Sequence, residues 1–271
     1  MSNGRFTADG NLTVLDLAYF AWAAYHNHAV DLRGFRRHSH SKSHEGNHFS
    51  GFHGAVFRRT SGTGTDRIVA ISGTELKGFG QSQIDAQADL GFGGETAESV
   101  ARMSPWKKYV LDSVSYGAAS SGVNFVQDGL SFFQAQGART IQLALAEQRL
   151  MNVGDRLFIV GHSLGGGLAQ IGAAKTGISA VTFNGVAVGA LADVVAAYQK
   201  TNPRVMNFRF TNDPVNNVEM FTQRGKSFLG SVHWLRTGRV GLDAHSIELD
   251  IKELKPDGLH AGVGAKSPFA L

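Results

Sequence analysis

Apolar residues along the chain fall into short runs separated by polar turns. Near the N-terminus, "VLDLAYFAWAAY" sets Leu15, Ala18, Tyr19 and Trp22 on one face, which predicts an amphipathic core helix, with Asp16 interrupting the apolar run. "GAVFRRTSGTGTDRIVAISGTE" reads as two strands, Ala55 to Arg59 and Arg67 to Ile71, around a Gly/Thr/Asp turn. The stretch from Glu75 to Gly94 is polar and Gly-rich, without sustained periodicity. Helical spacing recurs from about Thr96 to Gly117 and from about Ser131 to Leu150. "DRLFIVGHS" then predicts a strand, "LGGGLAQIGAAK" a helix and "SAVTFNG" a strand. "ALADVVAAYQK" predicts a helix, and "RVMNFRFTNDP" a strand that ends in a polar loop. "SFLGSVHWLRTG" adds a later strand, and "HSIELDIKEL" begins the final helix. This alternation predicts an α/β fold, a mostly parallel sheet with helices on both faces. No repeat or low-complexity linker divides it, so residues 1–271 are expected to form a single domain.

Composition narrows the picture only a little. A hydrophobic fraction of 42% and a charged fraction of 18% belong to a folded globular chain. There is no Cys, which excludes disulfides and thiolate metal sites. The formal charge of +4 is partly local, in "DLRGFRRHSHSKSH" and "FRRTS". So modest an excess does not point to nucleic acid, and no nucleic-acid partner is expected. No segment reaches the roughly 18 apolar residues of a membrane span. The expectation is a soluble chain without a conventional export signal, either cytoplasmic or exported by a signal-less route.

Two motifs compete for the chemistry. "HEGNH", His44 to His48, has the H-E-x-x-H form of a zinc peptidase, which needs a helix to bring two imidazoles one turn apart. Gly46 and Asn47 are poor helix residues, and no apolar face runs through the His-rich segment 38–53. A weakly metal-binding, titratable loop is the expectation there, and no metal or other cofactor is assigned to the active site. "RGKS", Arg224 to Ser227, lacks the earlier Gly of a phosphate loop, because Met220 stands in its place. "GFGG" at Gly91 to Gly94 is too short to mean anything.

Gly161-His162-Ser163-Leu164-Gly165 is G-x-S-x-G with an apolar strand before it and a helix after it. Ser163 in such a strained turn needs neighbours without side chains two positions away, and Gly161 and Gly165 supply them. The Leu164 backbone N–H would then open the helix toward an oxyanion. A hydrolase of this kind takes its carboxylate and base in the order Ser, Asp, His. Asp213 follows the strand "VMNFRFTN", with Asp193 and Asp243 as weaker rivals. His245 follows a loop at the start of a helix, whereas His233 lies within a strand and His260 in a Gly-rich tail. His162 adjoins the nucleophile and is expected to pack and hydrogen-bond instead.

These residues resemble the class 3 lipase family over roughly residues 50–255. The likeness runs through "ISGTE" with Thr74, "ADLGF" with Asp89, "GHSLGGG" with Ser163, "TNDPV" with Asp213 and "DAHSIE" with His245. Ser72 stands where the family usually has Arg, and "FNGVAVG" matches its Gly-Pro segment loosely. The resemblance implies an α/β-hydrolase-type fold, a catalytic set of Ser163, Asp213 and His245, and an oxyanion hole from Thr74 and Leu164. It also implies a lid within 75–106, where Phe79, Phe92, Met103 and Trp106 lie.

The expected activity is a serine carboxylester hydrolase acting on lipid, of triacylglycerol lipase or phospholipase A1 type, at a membrane or lipid interface. Arg33, Arg36, Arg37, Arg58 and Arg59 would attract anionic headgroups, favouring phospholipid. An exported effector of this kind would bring a cognate inhibitor or secretion partner. The alternatives are a zinc-dependent peptidase using His44 and His48, and a catalytically silent lipid-binding module.

Overall fold

The computed structural model describes residues 12–26, 32, 34–42, 53–62, 64–73, 123–189, 191–213 and 228–268. Among the described residues, seven strands form one sheet whose spatial order equals chain order. They are β1 (Arg36–Lys42), β2 (His53–Ser61), β3 (Gly64–Ile71), β4 (Arg156–His162), β5 (Ser179–Phe183), β6 (Val205–Phe210) and β7 (Ser231–Leu235). β1 to β3 are antiparallel, and β3 to β7 run parallel. The helices are α1 (Val14–Ala23), α2 (Val123–Gln148), α3 (Leu164–Thr176), α4 (Ala192–Thr201), α5 (Ile247–Leu254) and α6 (Ala261–Gly264). A short 3₁₀ turn, Gly241–His245, precedes α5. This is the α/β-hydrolase-type arrangement, a mostly parallel sheet with helices on both faces. No described helix is long and apolar enough to cross a membrane.

Strands buried on both faces carry continuous apolar runs, and alternate residues feed opposite cores. Ile68, Ala70, Val160, Val181 and Phe208 face α1 and α5. Val69, Ile71, Ile159 and Ala180 face the layer containing Leu168, Ala173 and Val194 of α3 and α4. Register matters more than either core for function. Ile71 pairs with Gly161, Gly161 with Thr182, and Thr182 with Asn207. The carboxyl ends of β3 to β6 therefore lie in one row, the edge of a parallel sheet where sites are built.

Three expectations need correction. The helix α1 is buried nearly all round, and Tyr19 and Trp22 are its less buried positions. It lies between the sheet and α5, so only the side bearing Tyr19 and Trp22 keeps some exposure. Asp16, the polar residue within the apolar run, caps α1: its carboxylate accepts from the Thr13 N–H at 2.8 Å, while its own N–H donates to Thr13 Oγ1.

The His-rich segment is not a loop throughout. His38 and His40 lie in β1, His53 begins β2, and Lys42 pairs with His53 across the two strands. Pairing with the apolar β2 imposes a strand that "RRHSHSK" does not announce by itself. His44 and His48 lie outside the described residues.

Nor are the arginines a free basic face. Arg58 and Arg67 stand opposite each other on β2 and β3, a repulsive pair that Glu147 of α2 bridges at 2.5 and 3.2 Å. Arg59 and Arg156 both grip Asp66, and Arg37 donates to the carbonyls of His26 and Ala23. Arg36 is exposed, and Arg33 lies outside the described residues.

Candidate active site

The turn after β4 has the geometry that the glycines predict. Ser163 has φ 58° and ψ −128°, a conformation that a non-glycine residue holds only when its surroundings fix it. Its N–H donates to Phe183, and its carbonyl accepts from Gly166, Gly167 and Val186. A Cβ on Gly161 would lie 2.1 Å from the Gly165 carbonyl oxygen, and one on Gly165 would lie 2.3 Å from that of Ile71. Both positions are closed to any side chain. Leu164 opens α3 directly after Ser163, so its N–H is among the unpaired first-turn donors of a helix.

The structure brings Ser163, His245 and Asp213 together. His245 Nε2 lies 2.8 Å from Ser163 Oγ, and His245 Nδ1 lies 2.8 Å from Asp213 Oδ2. A carboxylate only accepts, so Nδ1 carries the hydrogen and Nε2 is left to accept from the Ser163 hydroxyl. All three side chains are buried. Asp213 sits three residues past β6, as the order of elements predicts. His245 closes the 3₁₀ turn rather than opening a helix, and α5 starts after Ser246.

Residues 115–238 match the family model described as phospholipase-like, the Tle-like phospholipase domain. The chain is also 35% identical over 127 residues to the extracellular phospholipase A1 of Serratia liquefaciens. This stretch of the chain is phospholipase-like. The match covers 45% of this chain and 39% of the Serratia enzyme, so the chain spans about two fifths of that relative's length. Lipase II from Rhizopus niveus aligns with a TM-score of 0.43 and 17% identity, over 84% of this chain and 83% of that one. Ser163 and Asp213 fall inside the phospholipase-like segment; His245 lies beyond it and joins them by geometry.

The rival residues have other surroundings. Asp193, at the start of α4, pairs with Lys175 at 2.7 Å. Asp243 is exposed, two positions before His245. His233 stacks on Phe208, and His260 Nε2 engages the backbone of Arg236. His162 is buried and hydrogen-bonded on both ring nitrogens, as expected. Ser72 is buried, and its N–H donates to the His53 carbonyl. Thr74, Asp89, the segment 75–106 and Arg224 to Ser227 lie outside the described residues. Among the described residues no group of three His, Cys, Asp or Glu side chains is placed to hold a metal.

Three groups escaped the sequence reading. Arg209 is fully buried beneath the rings of Phe228 and Trp234, at 3.7 and 4.9 Å. Burial pushes its guanidinium down to about 9, with the charge of Asp213 opposing, so it stays cationic at neutral pH. Asn184, at φ 44°, donates to Asp250 Oδ2 at 2.9 Å and accepts from the Phe210 N–H at 2.9 Å. It thereby ties the ends of β5 and β6 to α5. Its only sequence signal is an Asn-Gly pair after a strand. Asp250 is a second buried carboxyl near Asp213. Burial first, then the charges of Asp213 and Glu248, push its pKa well above the usual carboxylate range.

The sign of the Asp250 effect follows by linkage. A group whose folded pKa is raised stabilises the fold fully below its unfolded pKa, about 3.9, and loses that contribution as pH rises through the folded value. The isosteric Asp250→Asn cannot ionise. Its stability advantage over wild type should therefore grow as pH rises above about 4, the unfolded carboxyl value, measured from urea unfolding midpoints. An advantage that is constant or shrinks with pH would contradict the assignment.

Proposed function

We propose that this chain is a serine carboxylester hydrolase that cleaves acyl esters of phospholipids in the manner of a phospholipase A1. The observation that carries this reading is the continuous hydrogen-bonded series Ser163–His245–Asp213 at the carboxyl edge of the sheet. The likeness to the Serratia enzyme and to the Tle-like domain supports phospholipid over triacylglycerol.

Ser163 Oγ attacks the ester carbonyl while His245 Nε2 takes its proton. Asp213 holds the Nδ1–H and balances the imidazolium that forms. The Leu164 N–H, at the positive end of α3, receives the developing oxyanion, and Thr74 is the second donor implied by the class 3 resemblance. The alkoxide of the lysophospholipid leaves with the proton from His245. Water, deprotonated by His245, then releases the fatty acid from Ser163. Every step uses side chains and backbone of this chain.

The test uses phospholipid vesicles carrying distinguishable acyl chains at the two glycerol positions, beside a triacylglycerol emulsion. Wild type is expected to release the sn-1 fatty acid from phospholipid faster than any acid from triacylglycerol. Equal rates would remove the phospholipid preference. Chelator-sensitive proteolysis without ester hydrolysis would favour the peptidase alternative.

A further inference from the structure

We infer that Tyr25 and His162 are positioning residues, forming a relay that ties the backbone of the catalytic base to the strand end beside the nucleophile; this rests on the serine-hydrolase reading above. The Gly73 N–H lies 2.8 Å from Tyr25 Oη, Tyr25 Oη lies 2.7 Å from His162 Nδ1, and His162 Nε2 lies 2.7 Å from the His245 carbonyl oxygen. The two ends, together with a neutral His162, fix the polarity of the whole series. An amide N–H only donates, and a carbonyl only accepts. His162 Nε2 therefore carries the hydrogen, Tyr25 accepts from Gly73, and the Tyr25 hydroxyl donates to the unprotonated Nδ1 of a neutral His162.

The relay joins four separate parts of the molecule: the chain just past α1, the chain just past β3, the last residue of β4, and the 3₁₀ turn that ends at His245. It acts on both sides of Ser163. On one side it anchors His245 through its carbonyl while the ring spans Ser163 and Asp213. On the other it holds Gly73, whose missing Cβ would lie only 2.7 Å from Ser163 Cβ. Taking up the Gly73 N–H also withdraws that amide from oxyanion binding, which leaves the task to Leu164 and to Thr74, the donor that the class 3 resemblance implies.

The surroundings of His162, rather than its hydrogen bonds, favour its neutral form. Its ring lies 4.9 Å from that of His245, where a second positive charge would oppose the imidazolium formed in catalysis. Burial, and then the nearby His245, hold His162 well below its ordinary pKa of 6.5.

The test compares Tyr25→Phe, His162→Gln and His162→Leu. Each rate is expressed per active site titrated with a fluorophosphonate, so that misfolded molecules drop out of the comparison. Tyr25→Phe should lower kcat about tenfold with KM unchanged. His162→Leu should lower it about a hundredfold, and His162→Gln, which keeps an N–H donor toward His245, should recover most of that loss. Wild-type kcat per titrated site in both Tyr25→Phe and His162→Leu would overturn the relay and leave the serine reading standing. Equal losses in His162→Gln and His162→Leu would overturn it as well. Failure of wild type itself to react with the fluorophosphonate would overturn the serine reading instead.

Discussion

Ser163→Ala should lower kcat toward phospholipid by about 10⁵- to 10⁶-fold, the scale on which loss of a serine nucleophile acts in hydrolases of this type. The effect is expected to be chemical and not conformational. The four hydrogen bonds that hold residue 163 at φ 58° are all made by its backbone. Its Oγ meets His245 Nε2, a contact that alanine gives up without a clash. Thermal unfolding of the variant should therefore stay within a few degrees of wild type, and vesicle binding should persist. Retained hydrolysis within tenfold of wild type would mean that the turn after β4 is a strained connection and nothing more. Loss of binding together with loss of hydrolysis would point to a role for Ser163 in holding the fold.

Asp213→Asn should cost about 10⁴-fold in kcat with much less change in KM. Asp213 is completely buried and accepts the His245 Nδ1–H at 2.8 Å. An asparagine there turns a fixed acceptor into a group that can also donate. His245 is then free to present Nε2–H to Ser163, the tautomer that cannot take its proton. The variant also leaves the buried Arg209 guanidinium without the charge that opposes its burial, and a lower unfolding midpoint should accompany the kinetic loss. Steady-state kinetics on vesicles, paired with unfolding curves, separates the two effects. A change in KM alone would remove Asp213 from the reaction.

The parts of the site that were legible in the sequence are those fixed by local chemistry or by chain order. Gly161 and Gly165 reveal the turn because a side chain at either position meets backbone within a few residues or on the adjoining strand. Asp213 and His245 were reachable because β4 to β7 follow one another across the sheet, so later loops collect at the same edge. Long-range partners were not legible. Tyr25 and His162 are 137 positions apart, and Asn184 and Asp250 are 66 apart, with no periodicity to link them. The arginines misled for a similar reason. Read singly, Arg58 and Arg59 are surface charges, and only the pairing of β2 with β3 and the approach of α2 show that Glu147 and Asp66 neutralise them. In α1, a spacing that predicts one apolar face cannot say that α5 covers the other.

The central claim is that lipid ester hydrolysis proceeds through a covalent bond to Ser163. Its most direct test is to treat the protein with a fluorophosphonate, map the modified peptide by mass spectrometry, and follow phospholipid hydrolysis in the same samples. The account predicts one adduct per chain, on the peptide bearing Ser163, with activity falling in proportion to its formation. Full hydrolysis by stoichiometrically labelled protein, or an adduct on another residue that tracks the loss of activity, would contradict it.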